Sequence, residues 1–151
     1  MLFLKIGVAK IVFSFLLVVS FGVKHAIPAE RDPLLPRVPV DQMDQARRWK
    51  NPFEATPENI AKGRALFTGK GTCFTCHGQD GRGDGFAGAG LDPAPRNFHN
   101  PRLRMKSDGE FNWVIHNGSA GSGMLSYAPG VITSEEAALI ILYERSLHDI
   151  P

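Results

Sequence analysis

Residues 78–109 set the tightest limit on how this chain can fold. "GQDGRGDGFAGAG" (78–90) holds six glycines and "DPAPRNFHNP" (92–101) three prolines. No helical or alternating apolar period runs through either stretch. Loops longer than about 12–15 residues are uncommon inside a compact domain. A fold packed only on itself is therefore a poor solution, and a large rigid ligand under the loop resolves the difficulty. Nothing elsewhere reads as a strand and no internal repeat is visible, so the expected class is all-α with long loops.

The helices around this loop are marked by their ends. Thr56 is a good N-cap, Pro57 suits the first helical position and Glu58 complements the dipole. Ile60, Gly63, Leu66 and Phe67 then recur at helical spacing, and Gly69 stops the run. Gly63 costs about 1 kcal/mol against Ala in a helix interior, which points to a close backbone approach there. A second helix is expected from about Asp108 to Asn117, with Ser107 and Glu110 spaced as a capping box. Phe111, Val114 and Ile115 form its apolar face, flanked by Trp113. The last helix starts from another such box, Thr133 and Glu136, and runs to about Leu147.

The first 29 residues read as an export signal. Lys5 and Lys10 are followed by the apolar run "IVFSFLLVVSFGV" (11–23), a length suited to a secretory segment and short for a membrane span. Ala29 is the best cleavage position and Ala26 the second, with an uncleaved anchor as the alternative. Loss of Lys5, Lys10 and Lys24 leaves 14 basic against 15 acidic residues. No nucleic-acid footprint is present. Residues 30–55 form a Pro-rich extension, in which 41–50 can make a short helix with Met43, Ala46 and Trp49 on one side. The extension is expected to lie across the domain of residues 56–148 or to bind a partner.

"CFTCH" (73–77) is a C-x-x-C-H run, the pattern of c-type haem attachment. Two thiols on one turn of chain can add to the two vinyl groups of a haem. The His directly after them is then held as the proximal iron ligand. Cys73, Cys76 and His77 are thus the expected attachment and ligand residues for one covalently bound haem c. A thioredoxin-type dithiol would need a βαβ setting, and a zinc site a second ligand pair; the chain has only these two Cys. An electron carrier needs a second axial ligand. Met124, in the loop "GSAGSGMLSYAPG" (118–130), is the leading candidate, with His99 and His116 as alternatives. Met43 lies in the extension, and Met105 among Arg102, Arg104 and Lys106 in a solvated setting.

With these residues in view the chain resembles the class I cytochrome c family over about 56–148. The parts that carry the likeness are "IAKGRALF", "CFTCHGQDGRGDG", "PAPRNF", "DGEFNWVIHNG", "GMLSY" and "EEAALIILYERSL". The resemblance implies a three-helix fold around one haem, with the first and last helices crossing at Gly63 and Phe67 against Leu139, Leu142 or Tyr143. It implies His77 and Met124 as iron ligands. It also implies a Pro carbonyl accepting the His77 Nδ1–H, Pro95 first and Pro93 second. Members often carry Pro after the axial Met; here Leu125 follows, while Tyr127 is kept.

The remaining features are secondary. "DGRGDG" (80–85) lacks the ligand pattern of a calcium loop and reads as turns. Arg96, His99, Arg102, Arg104 and Lys106 make a basic run that is solvated, pairs with a haem propionate or docks an acidic partner. Trp113 packs in the core or faces the haem edge. The expected function is one-electron transfer between periplasmic redox partner proteins, without enzymatic activity. A haem c subunit of a larger oxidoreductase complex is the alternative. An enzyme or gas sensor would require an open sixth position, with Met124 off the iron.

Overall fold

The computed structural model describes residue 32 and residues 35–149. The expected export segment, 1–29, lies outside the described residues. Among the described residues five α-helices run in the order α1 (Met43–Arg48), α2 (Pro57–Thr68), α3 (Phe74–His77), α4 (Asp108–Asn117) and α5 (Ser134–Ser146). Two 3-10 turns, Pro101–Met105 and Leu147–Asp149, complete the set, and the described residues contain no strand. No helix among them is long and apolar enough to cross a membrane.

The helix starts follow from their caps. Thr56 Oγ1 accepts the Asn59 N–H at 3.2 Å. Ser107 and Glu110 close a reciprocal box at 3.2 and 2.9 Å, as do Thr133 and Glu136 at 3.2 and 2.8 Å. Each such cap contributes about 1 kcal/mol. Gly69 and Gly118 stand at the C-caps of α2 and α4.

The α2–α5 crossing organises the core. A Cβ on Gly63 would overlap the Leu139 carbonyl and come within 3.1 Å of Tyr143 Cβ. Glycine is what lets the two backbones meet. Beside the contact Phe67 is fully buried, edge-on to the Tyr143 ring at 5.2 Å between centroids. Ile115, Ile132, Ile140, Ile141 and Leu147 pack with them. Burying such a side chain stabilises the fold by about 1.5–3 kcal/mol.

The loop 78–100 is pinned by backbone bonds and by close approaches, not by a helical face. Gly83 N–H donates to the His77 carbonyl at 2.7 Å and Phe98 N–H to the Gly81 carbonyl at 2.7 Å. Gly81 and Gly83 have positive φ, and a Cβ on Gly83 would sit 2.6 Å from the Pro95 carbonyl oxygen. The loop inserts one large apolar group, Phe98, into the core.

The extension is part of this architecture. Val38, Met43 and Ala46 form a small buried cluster against Trp113 of α4. Gly109 of α4 admits the Ala46 carbonyl so closely that any Cβ would overlap it. Trp113 Nε1 donates to Gln42 Oε1 at 3.0 Å, and Asn51 Nδ2 to the Ala138 carbonyl at 2.8 Å.

Candidate functional site

α3 is four residues long, and its shortness positions the site. Cys73, Cys76 and His77 fall on one turn, with the His77 N–H donating to the Cys73 carbonyl at 2.9 Å. Gly78 then ends the turn at φ 81°. Both thiols and the imidazole line one large apolar cleft, with about 1240 Å³ of space free of protein atoms out to its open mouth. Its floor and walls include Phe98, Leu103, Ile115, Ile132 and Ile140. The cleft lies under the 78–100 loop, whose Leu91, Pro93, Ala94, Pro95 and Arg96 form part of the wall.

The thiols are free and not joined to each other. Burial, reinforced by the nearby Glu144, pushes the Cys73 thiol up to about 12. A redox dithiol needs a lowered thiol pKa to attack a disulfide; Cys73 has the opposite setting. No group of three or more His, Cys, Asp or Glu able to hold a bare metal ion exists among the described residues.

His77 is built as a ligand. Burial pushes its imidazole below the ordinary His range, which keeps it neutral, although the backbone hydrogen bond works the other way. Nδ1 lies 3.0 Å from the Arg96 carbonyl oxygen. With Nδ1–H donating there, Nε2 is the nitrogen with a lone pair for a metal. The ring stacks beside Phe98 at 4.8 Å and lies 6.4 Å from Phe67. The sequence expectation placed this acceptor at Pro95. The structure corrects it by one residue: the Pro95 carbonyl is turned against Gly83, and the next carbonyl faces the ring. Pro95 still lines the cleft.

Met124 lines the same cleft as His77, from the loop after α4. That loop is tied down on both sides. The Ser119 N–H donates to the Met124 carbonyl at 2.9 Å, and the Met124 N–H to Ser122 Oγ at 3.3 Å. The Tyr127 and Ala128 N–H groups share the Ile115 carbonyl at 2.9 and 3.2 Å. These bonds hold the loop where Leu125, exposed, supplies none of the stiffness of Pro. The other candidates lie elsewhere. Met105 is 73 % exposed and Met43 is in the extension's cluster. His99 Nε2 meets the Asp80 carbonyl at 2.8 Å. His116 is held by the Asn112 carbonyl at 2.8 Å and Ser134 Oγ at 3.0 Å.

Three contributors escaped the sequence reading. Arg37 and Val38 of the extension line the cleft, and Arg37 Nη1 donates to Ser119 Oγ at 3.1 Å. Glu144 lines it from α5. A signal for Glu144 exists: it falls seven residues after Ala137 on the apolar stripe of α5. The basic run divides. Arg96 and Lys106 line the cleft, whereas Arg102 pairs with Asp32 at 3.1 Å and Arg104 donates to the His148 carbonyl at 2.9 Å. Trp113 takes the packing role, away from the cleft.

Two thiols, a neutral imidazole and a thioether around one apolar cleft fit a haem: planar, apolar and iron-bearing. The fold and this donor set define a class I c-type cytochrome. The family model described as cytochrome c oxidase, cbb3-type, subunit III matches residues 58–143, and the chain belongs to that family. Among solved structures, a chain of the Kuenenia stuttgartiensis reducing HAO-like protein complex superposes with a TM-score of 0.56 at 26 % identity. The match covers 64 % of this chain and 46 % of that one, so this chain corresponds to less than half of that relative. No curated protein matches. A cytochrome domain of this kind implies haem c with its iron, electron transfer and redox partners.

Proposed function

We propose that the chain is a monohaem one-electron carrier, its haem c bound covalently through Cys73 and Cys76 and ligated by His77 and Met124. The observation that carries this reading is the convergence of both thiols, the His77 ring and Met124 on one apolar cleft. A haem held there supplies a one-electron ferric/ferrous couple. Burial keeps His77 neutral and the Arg96 carbonyl orients the ring, so its Nε2 is presented without a competing proton. Met124 would supply the second ligand to a haem held there, which would leave no coordination site for substrate and favours a carrier over an enzyme. An apolar wall of this kind would limit solvent reorganisation around a haem held there. Redox partners are a donor and an acceptor protein, and the pattern of residues 1–29 favours a periplasmic location.

A second reading is favoured by the family's description and by the relative's membership of a complex: the chain is the haem c subunit of a larger oxidoreductase. Size-exclusion of the native protein separates the two, since a carrier elutes as a single chain, whose full sequence weighs 16.5 kDa before any cleavage. The haem itself is tested by a denaturing gel stained for haem. One covalent haem is expected on the intact chain, and Cys73→Ala or Cys76→Ala should leave a haem-poor or singly attached product. An unstained intact chain rejects the assignment.

A further inference from the structure

α5 carries a carboxyl where its pattern calls for an apolar side chain. Ala137, Ile140, Ile141 and Glu144 fall at i, i+3, i+4 and i+7, on one face of the helix. The first three are fully buried and Glu144 is 5 % exposed. It lines the cleft together with Ile140, Cys73 and His77. Buried carboxylates normally have a charged or hydrogen-bonding partner. Here burial alone pushes the carboxyl up to about 8, and no ion pair or hydrogen bond to it is found among the described residues.

Arg37, His77, Arg96, Lys106 and Glu110 line the same cleft, and none of them offsets the effect of burial on the Glu144 carboxyl. Beside α5 stands the Cys73 thiol, itself raised by burial and by Glu144. From α2, Arg64 serves the Tyr143 phenol and Lys70 pairs with Glu136 at 2.7 Å. From α4, Asp108 is held by Arg145 at 3.2 Å and Glu110 by Lys106 at 3.2 Å. From the loop, Asp80 acts on Tyr143, and the Arg96 carbonyl serves His77. In the final 3-10 turn, His148 stacks near Phe111 at 6.0 Å.

We propose that Glu144 is a redox-linked proton site: it takes up one proton when haem iron bound in the cleft gains one electron, and releases it when that electron leaves. The proposal rests on the haem reading above. The electron comes from the donor protein and the proton from solvent; the only bond formed is the O–H of the carboxyl. Ferric iron carries one positive charge more than ferrous iron. In a low-dielectric cleft that charge favours the carboxylate, so the carboxyl's pKa is lower beside ferric iron than beside ferrous. The coupling is reciprocal: a bound proton raises the electron affinity of the iron by the same free energy. Each tenfold change in proton affinity between the two states corresponds to about 59 mV of potential. The midpoint potential therefore falls as pH rises between the two pKa values and is flat outside them. This site would make the chain a carrier of a proton together with its electron.

The test is the midpoint potential of the haem-loaded protein over a pH range bracketing about 8, for the native chain, Glu144→Gln and Glu110→Gln. Low-spin visible spectra first establish an intact site in each. The native chain and Glu110→Gln should show the fall. Glu144→Gln should lack it and stay near the native low-pH potential, because the amide imitates the protonated acid. A slope that persists in Glu144→Gln overturns the assignment and points to haem propionates or another group; a slope lost only in Glu110→Gln also overturns it. If Glu144→Gln does not assemble, the reduced-minus-oxidised infrared spectrum of the native protein decides. A carboxylic C=O band that grows on reduction and shifts in deuterium oxide supports the site, and its absence overturns it. A native chain without haem overturns the underlying reading and this proposal with it. A haem-loaded chain without a pH slope overturns the proton site alone.

Discussion

Met124 reaches the cleft from a loop, so its contribution separates cleanly from that of the attachment turn. Met124→Ala should keep haem on Cys73 and Cys76, open the sixth position to water or added imidazole, and lower the reduction potential, because a thioether favours ferrous iron. The loop should also lose on the order of 1–3 kcal/mol of stability. Met105→Ala is the matched control: its side chain is 73 % exposed, and neither spectrum nor potential should change. A spectral shift in Met105→Ala with none in Met124→Ala would reverse the assignment. At this scale the sequence was informative wherever chemistry demands fixed spacing. Cys73, Cys76 and His77 could be read as one set because C-x-x-C-H is a fixed-spacing pattern, and the structure places all three on one turn along one cleft. The acceptor of the His77 Nδ1–H was not, since carbonyl direction within "PAPRN" depends on Gly83 leaving room for Pro95. Glu144 was passed over because a Glu in the last turn of a helix ordinarily faces solvent, whereas here it continues the buried stripe of Ala137, Ile140 and Ile141.

At the scale of elements, two glycines set the helix contacts and give contrasting predictions. Gly63→Ala places a methyl into the Leu139 carbonyl at the central α2–α5 crossing. It should lower global stability by about 1–3 kcal/mol, as overpacking does, read as a shifted denaturant midpoint of the haem protein. Gly109→Ala meets the Ala46 carbonyl instead. It should free the α1 segment from α4 and raise protease cleavage near residues 35–50, with a smaller loss of global stability. Equal effects from the two substitutions would mean that the extension is not a separable layer. The caps of α2, α4 and α5 were readable because a capping box is a local three-residue relation. The turn Pro101–Met105 was not, because its single buried group, Leu103, gives no periodic signal. That the extension supplies Arg37 and Val38 to the cleft depends on contacts between distant segments, such as Arg37 with Ser119, which no local pattern encodes.

For the whole molecule, two buried carboxyls should shape stability against pH in opposite directions. Glu110 lies under Lys106 and inside its capping box. Burial works to raise its pKa, but the Ser107 N–H and the Lys106 ammonium outweigh it, and the folded value lies below 4.5. Folding therefore gains from Glu110 above pH 4.5, and the gain is lost as pH falls through the folded pKa. Glu144 has the opposite sign. Its folded value, about 8 against 4.5 unfolded, means the native chain holds a proton that the unfolded chain has released. Stability from this group is fully present below 4.5 and declines as pH rises towards 8, by at most about 1.4 kcal/mol per unit. Together these two groups favour greatest stability in weak acid, on the low side of the usual range of about pH 5–8. Ferrous iron is the right state for the measurement, because ferric charge would pull the Glu144 pKa down and blunt the slope. Glu144→Gln should flatten the decline between weak acid and pH 8 while leaving the acid limb intact; Glu110→Gln should remove part of the acid limb and leave the decline. Denaturant titrations of the three reduced proteins at a series of pH values make the comparison. A native profile that is flat or rising from weak acid to pH 8 would show that Glu144 is paired or hydrated in the holoprotein, and that burial does not govern it.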